Sequence, residues 1–169
     1  MNWLIIVLRL IHILFGIFWA GAIFFIVSFL LPTARAAGPG SAPFMQRFAR
    51  SGFLQAALGS GSLTVLSGVW LMWLVAGGNS EWFGSPTGIT LSIGGLAAIV
   101  ALTLGFVFQR PTMKRLAAIA TAVEAAGGTA TAEQQAELPA LQARMGKIAR
   151  AAAWLLAVAV VCMAVARYL

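Results

Sequence analysis

Aspartate is absent from this 169-residue chain, and histidine, cysteine and tyrosine occur once each, as His12, Cys162 and Tyr168. The four acids are all glutamates, Glu81, Glu124, Glu133 and Glu137, and none falls inside an apolar run. Each shortage closes a class. One cysteine excludes an intrachain disulfide, and one cysteine with one histidine cannot supply the spacing of a zinc site. Without a carboxylate in the apolar runs there is no Asp/Glu relay of the kind proton-coupled transporters use, and the paired Gly/Pro interruptions of broken-helix transporters are missing too. No glycine-rich nucleotide-binding motif and no internal repeat stands out. No catalytic residue can be assigned, which turns the reading away from an enzyme.

What the chain does have is apolar length: 61% of its residues are hydrophobic and only 9% charged, far from the quarter or so charged in soluble domains. A helix needs about 20 apolar residues to cross the hydrocarbon layer. The sequence predicts an all-α, polytopic membrane protein, a single domain over 1–169 with spans near 3–31, 51–76, 87–108 and 148–166. Pro32 is expected to stop the first span, and PTARAAGPGSAP after it reads as a loop. No side-chain charge precedes Arg9 and apolar character persists to Leu31, so the first span reads as a retained helix and not a cleaved signal.

Residues 112–147 form the one sizeable polar segment. Met113, Leu116, Ala120 and Val123 recur at seam spacing, as do Leu138, Leu141, Met145 and Ile148, which predicts a helical hairpin. Gly127 and Gly128 end its first helix, Thr131 with Gln134 fits a capping box for the second, and Pro111 and Pro139 are expected to kink or break it.

The formal net charge of +7 lies beside the spans, where it sets topology and meets anionic head groups; no nucleic-acid partner is expected. Arg35, Arg47 and Arg50 follow the first span, and Arg110, Lys114, Arg115, Arg144, Lys147 and Arg150 follow the third, whereas the connection after the second has no basic residue. The positive-inside rule therefore places both basic segments, hairpin included, in the cytoplasm and both termini outside, in the periplasm of a bacterial inner membrane. Trp3, Trp70, Trp73 and Trp82 fall toward the outer boundary and Trp154 toward the inner one. Trp19 lies mid-membrane, facing protein or lipid tails.

Arg9, His12, Gly16, Trp19 and Ile23 make one stripe on the first helix. Arg9 is about 9 Å in from the helix start, within snorkelling reach of the interface, while His12 is at about 13 Å and needs a partner or a ligand. That partner is a hydroxyl or carbonyl on a neighbouring helix, or else His12 holds a metal or tetrapyrrole with Gly16 making room for the macrocycle. A Cu(I) site joining His12 to Met72, Cys162 or Met163 is a lesser candidate. On the second span Gln55, Gly59 and Ser62 form one small-polar stripe and Gly61, Thr64 and Gly68 another; Ser92, Gly95 and Ala98 mark a face on the third. Such stripes let helices approach closely, with hydroxyls and Gln55 expected to bond across helices. Two stripes on one helix exceed the need of a single neighbour and point to a homo-oligomer or a larger membrane complex.

His12, Trp19 and Gly21, spaced H-x6-W-x-G within IHILFGIFWAG, resemble the first helix of the copper-resistance D (CopD) superfamily and related four-helix bacterial membrane proteins. A looser similarity reaches the HemJ-type protoporphyrinogen oxidases. The match covers about 25 residues and the four-span plan. It implies copper handling in the one case and haem-linked oxidation in the other, with His12 as ligand. Two functions are therefore carried forward: a non-enzymatic accessory or scaffold protein of a respiratory or photosynthetic membrane complex, and a haem- or copper-binding membrane protein.

Overall fold

The computed structural model describes residues 3–169, and among them every regular element is helical. Four helices are long and apolar enough to cross a membrane: α1 (Trp3–Ala36), α3 (Phe53–Ala76), α4 (Pro86–Ala125) and α5 (Ala132–Tyr168). Between the first two lies a short amphipathic helix, α2 (Ala42–Arg50). These four apolar helices fit a multi-pass membrane protein.

Pro32 does not stop α1. A π-helical turn over Ile26–Leu30 precedes it, in which the Leu31 N–H donates to the Ile26 carbonyl five residues back, and the widened turn admits the proline ring at the start of the resumed α-segment. The same device recurs at Gly105–Gln109, where the Arg110 N–H donates to the Gly105 carbonyl and Pro111 follows. The two junctions read FLLPTAR (29–35) and FQRPTMK (108–114), so a local repeat exists after all. Residues 32–43 are likewise not an open loop: helix continues to Ala36, a 3-10 turn covers Gly38–Ser41, and α2 begins at Ala42. Pro139 breaks nothing, since α5 continues through it as one helix.

In space α1 lies along α3 and α4 along α5, with fewer contacts between the two pairs. The pairs meet at one cluster, Trp19 of α1 with Ala57 of α3, Ala101 of α4, and Ala152 and Leu156 of α5. Three alanines bring the backbones close, and the indole fills the remaining space. Between apolar helices in lipid such van der Waals fit is the main source of association, because the tails are as apolar as the side chains.

Past their apolar stretches α4 and α5 run on together, turning at Gly127 and Gly128 (φ +74° and +93°), a left-handed conformation that glycine adopts without strain. Thr131 and Gln134 form the expected capping box. Ile119 is buried here, while Met113, Leu116, Leu138 and Leu141 are half-buried. Arg115 donates twice to Glu137, at 2.9 and 2.8 Å; these hydrogen bonds hold the Glu137 carboxyl below its ordinary range. Arg50 at the end of α2 pairs with Glu124 at 2.9 Å, tying the short helix to the end of α4.

Candidate functional site

The α1 stripe and one of the two α3 stripes form a single contact. His12 lies over Gly68: a Cβ there would stand 2.7 Å from the imidazole Cε1 and 3.0 Å from Nδ1. Gly16 faces Thr64, whose Cγ2 is 3.3 Å from the corresponding point, and the Trp19 indole lies flat against Gly61, with ring carbons at 2.8 and 2.9 Å. The pairs step along two antiparallel helices, each helix offering a small residue where the other offers a large one. Trp19 faces protein, with 4% of its surface exposed.

His12 uses that proximity. Its Nδ1–H donates to the Thr64 carbonyl at 2.8 Å, so the partner is a carbonyl on the neighbouring helix. Ordinarily a helical carbonyl is shielded by the side chain one turn on; here that residue is Gly68, and the ring passes over its Cα. The Ser67 hydroxyl donates to the same carbonyl at 3.1 Å, and the Thr64 hydroxyl turns back to Ser60. With Nδ1 engaged, Nε2 is the nitrogen left over.

Among the described residues this is the one side-chain hydrogen bond between long helices inside their apolar stretches, the Arg115–Glu137 pair lying beyond them. The hydroxyls expected to bridge helices do not. Ser62 donates to Leu58, Thr64 to Ser60 and Ser92 to Gly88, each four residues back on its own helix, the local bond that short hydroxyl side chains favour. His12→Ala should therefore lower stability by about 1 to 2 kcal/mol, the worth of one interhelical bond plus the ring packing lost over Gly68. Unfolding in mixed micelles measures it, and a variant as stable as the parent would show that the bond contributes nothing.

The other sequence-selected residues lie elsewhere. Arg9 is exposed on α1. Gln55 and Gly59 are exposed on the outer side of α3, and a Cβ on Gly59 would meet nothing within 4 Å. The same holds for Gly95; it is Gly94 that makes the close approach between α4 and α5, facing Cys162 Cβ at 2.8 Å and Met163 Cε at 3.5 Å. Cys162 and Met163 thus belong to the α4–α5 contact and His12 to the α1–α3 contact. Among the described residues no three His, Cys, Asp or Glu side chains gather.

Two spaces adjoin the site. A cavity of about 60 Å³ lies below Trp19, walled by Ala57, Ala101, Ala152 and Gln109, and the buried Gln109 Oε1 has no hydrogen-bond partner among the described residues. That volume suits a water or two and is several-fold below the roughly 300–1,000 Å³ of a small-molecule pocket. On the outside, an open apolar groove of about 490 Å³ runs between α1 and α3, lined by Phe15, Phe18, Gly59 and Leu63. Sequence reading missed Gly94 and Gln109; a polar side chain two residues before Pro111, at the end of an apolar run, was the available signal for the second.

Compared with protein-family models, with curated proteins and with solved structures, the chain matches none.

Proposed function

We propose that the chain is a non-enzymatic accessory or scaffold protein of the bacterial inner membrane. In this reading its four long helices form a transmembrane bundle that packs with a partner membrane complex, respiratory or photosynthetic, or with further copies of itself. Both termini face the periplasm and residues 112–147 form a cytoplasmic hairpin, a topology supported by the basic residues that flank α1 and α4 on one side. The observation that carries the accessory role is the outer stripe of α3. One small-residue stripe is consumed by α1, while Gln55 and Gly59 remain exposed beside an open groove. A glycine inside a helix is unfavourable unless something approaches it closely.

The fold itself leaves room at Gly59, so Gly59→Leu should preserve helicity and thermal midpoint while abolishing association. Mass by light scattering and co-purified proteins in a mild detergent give the readout. An unchanged assembly, or a monomer in the parent, removes the basis for the scaffold role.

The haem- or copper-binding reading, with His12 as ligand, keeps one supporting observation. A histidine whose Nδ1–H is held by a backbone carbonyl presents Nε2 in the orientation-locked way that metal-binding histidines use. Against it stands Gly16, whose open side is taken by Thr64 at 3.3 Å. A Soret band in the purified protein that disappears in His12→Ala, or stoichiometric copper, would establish this second function; a featureless visible spectrum without copper would end it.

A further inference from the structure

Eleven basic side chains face four acids in this chain, so the acids can pair with only a minority of the bases. Glu124 pairs with Arg50 and Glu137 with Arg115. Glu133 adds its charge to the field at Arg115, and Glu81 lies in the connection between α3 and α4, which has no basic residue. Among the described residues no carboxylate pairs with the arginines at the end of α1 or on α5.

Two of those arginines converge on one point. Above Gly146 of α5, the point where a Cβ would stand is 2.7 Å from Arg35 Nη2 and 3.8 Å from Arg150 Nη1. Arg35 comes from the last turn of α1 and Arg150 from α5, so separate elements direct two guanidinium groups at one spot. Both are exposed, and neither forms an ion pair among the described residues. Like charges held this close repel unless an anion lies between them. Gly146 is buried in the middle of a long helix, where glycine is the worst choice after proline. Its missing side chain is what lets the Arg35 guanidinium lie against the helix.

Depth narrows the anion. Arg35 follows the apolar run of α1 and Arg150 stands at the start of that of α5, which puts the pair at head-group level if these helices span. Planar guanidinium groups match phosphate oxygens with paired hydrogen bonds, and anionic lipid is the abundant phosphate at a basic membrane face. We propose that Arg35 and Arg150, with the space over Gly146, form a binding site for the phosphoryl group of an anionic phospholipid. This rests on the membrane-spanning reading and is independent of the scaffold role.

The full chain, delipidated in a neutral detergent, is titrated with phosphatidylglycerol, phosphatidylcholine or inorganic phosphate. Retained lipid is counted by native mass spectrometry, and phosphate binding is followed by calorimetry. The parent should prefer phosphatidylglycerol to phosphatidylcholine, and Arg35→Gln or Arg150→Gln should each weaken that retention about fivefold, the worth of one basic residue at an anionic surface. Gly146→Leu keeps both charges but fills the space over the helix where the Arg35 guanidinium lies, and should weaken it too with helicity intact. Lys114→Gln, an exposed cation on the α4 extension, should change nothing. Equal loss in Lys114→Gln would mean diffuse attraction and overturn the site, as would full retention in both arginine variants. Phosphate binding that needs the two arginines, without phosphatidylglycerol retention, would overturn the lipid as ligand. A chain that stays monodisperse without detergent would instead overturn the spanning reading beneath it.

Discussion

Leucine in place of Gly61 should cost about 3 kcal/mol or more and separate α1 from α3, the upper end of what overpacking a tight contact does. Even a single added carbon at this position would stand 2.8 Å from Trp19 Cε2 and 2.9 Å from both Trp19 Cδ2 and Leu102 Cδ1. The indole cannot yield by bending, because it is a rigid ring enclosed by α3, α4 and α5 in the central cluster. Leu102 blocks the other direction, so the backbone of α3 must retreat and the neighbouring His12–Thr64 bond is stretched with it. Gly61→Ala should lose about 1 to 3 kcal/mol by the same cause, partly offset by the better helix propensity of alanine. Unfolding in mixed micelles, read by tryptophan fluorescence, gives the number. Gly59→Leu provides the comparison two residues away on the same helix, with the same added volume and no neighbour within 4 Å. Equal stability of the two leucine variants would refute the packing described for α1 and α3.

Trp19→Ala should have the second largest effect, a loss of about 2 to 4 kcal/mol. In a soluble core, truncating a buried tryptophan costs roughly 3 to 5 kcal/mol, of which a large part is transfer of apolar surface from water. Helices that separate within a bilayer expose the indole to lipid tails and not to water, so that part shrinks and the cavity term remains. The cavity is large here because the other residues at the centre are mostly alanines, which cannot extend into the space. It would also join the existing void of about 60 Å³ beneath the ring, leaving Gln109 in an enlarged apolar chamber. Trp19→Phe should recover about half of the loss, since much of the ring contact survives. The two positions are coupled: Trp19→Leu should make Gly61→Ala nearly harmless, and a double-mutant cycle with additive losses would contradict the contact.

Much of the α1–α3 contact could be read from spacing. Arg9, His12, Gly16, Trp19 and Ile23 fall on one side of a helix by periodicity, and so do Gly61, Thr64 and Gly68. Their pairing was beyond reach because both faces of a spanning helix are apolar, so hydrophobicity does not mark which one meets protein. For that reason Gly94 and Gly95 could not be told apart, nor the consumed stripe of α3 from the free one. The hydroxyls misled for a different reason. A serine or threonine in a helix has an acceptor within reach on its own backbone, and it takes that acceptor before any on a neighbour. Pro32 and Pro111 look like helix ends to any local rule, since the compensating π-turn is a property of the preceding carbonyls and the shared F-x-x-P-T pattern does not by itself say that a helix continues. The capping box at Thr131 was legible because both of its bonds are local.

Those π-turns also alter how the helices are phased. Each inserts about one residue into a turn, so side chains beyond it are rotated by most of the roughly 100° that one residue represents. Simple counting would put Thr112 in line with Gly94 and Ile119 in line with Ala101, each five turns further on, so the π-turn between them swings the buried positions of the extension away from the face that α4 shows to α5. α1 and α4 are thus each a splice of two shorter helices with separate angular registers. Changes in the extension can re-aim its contacts while the register inside the apolar layer stays as it is.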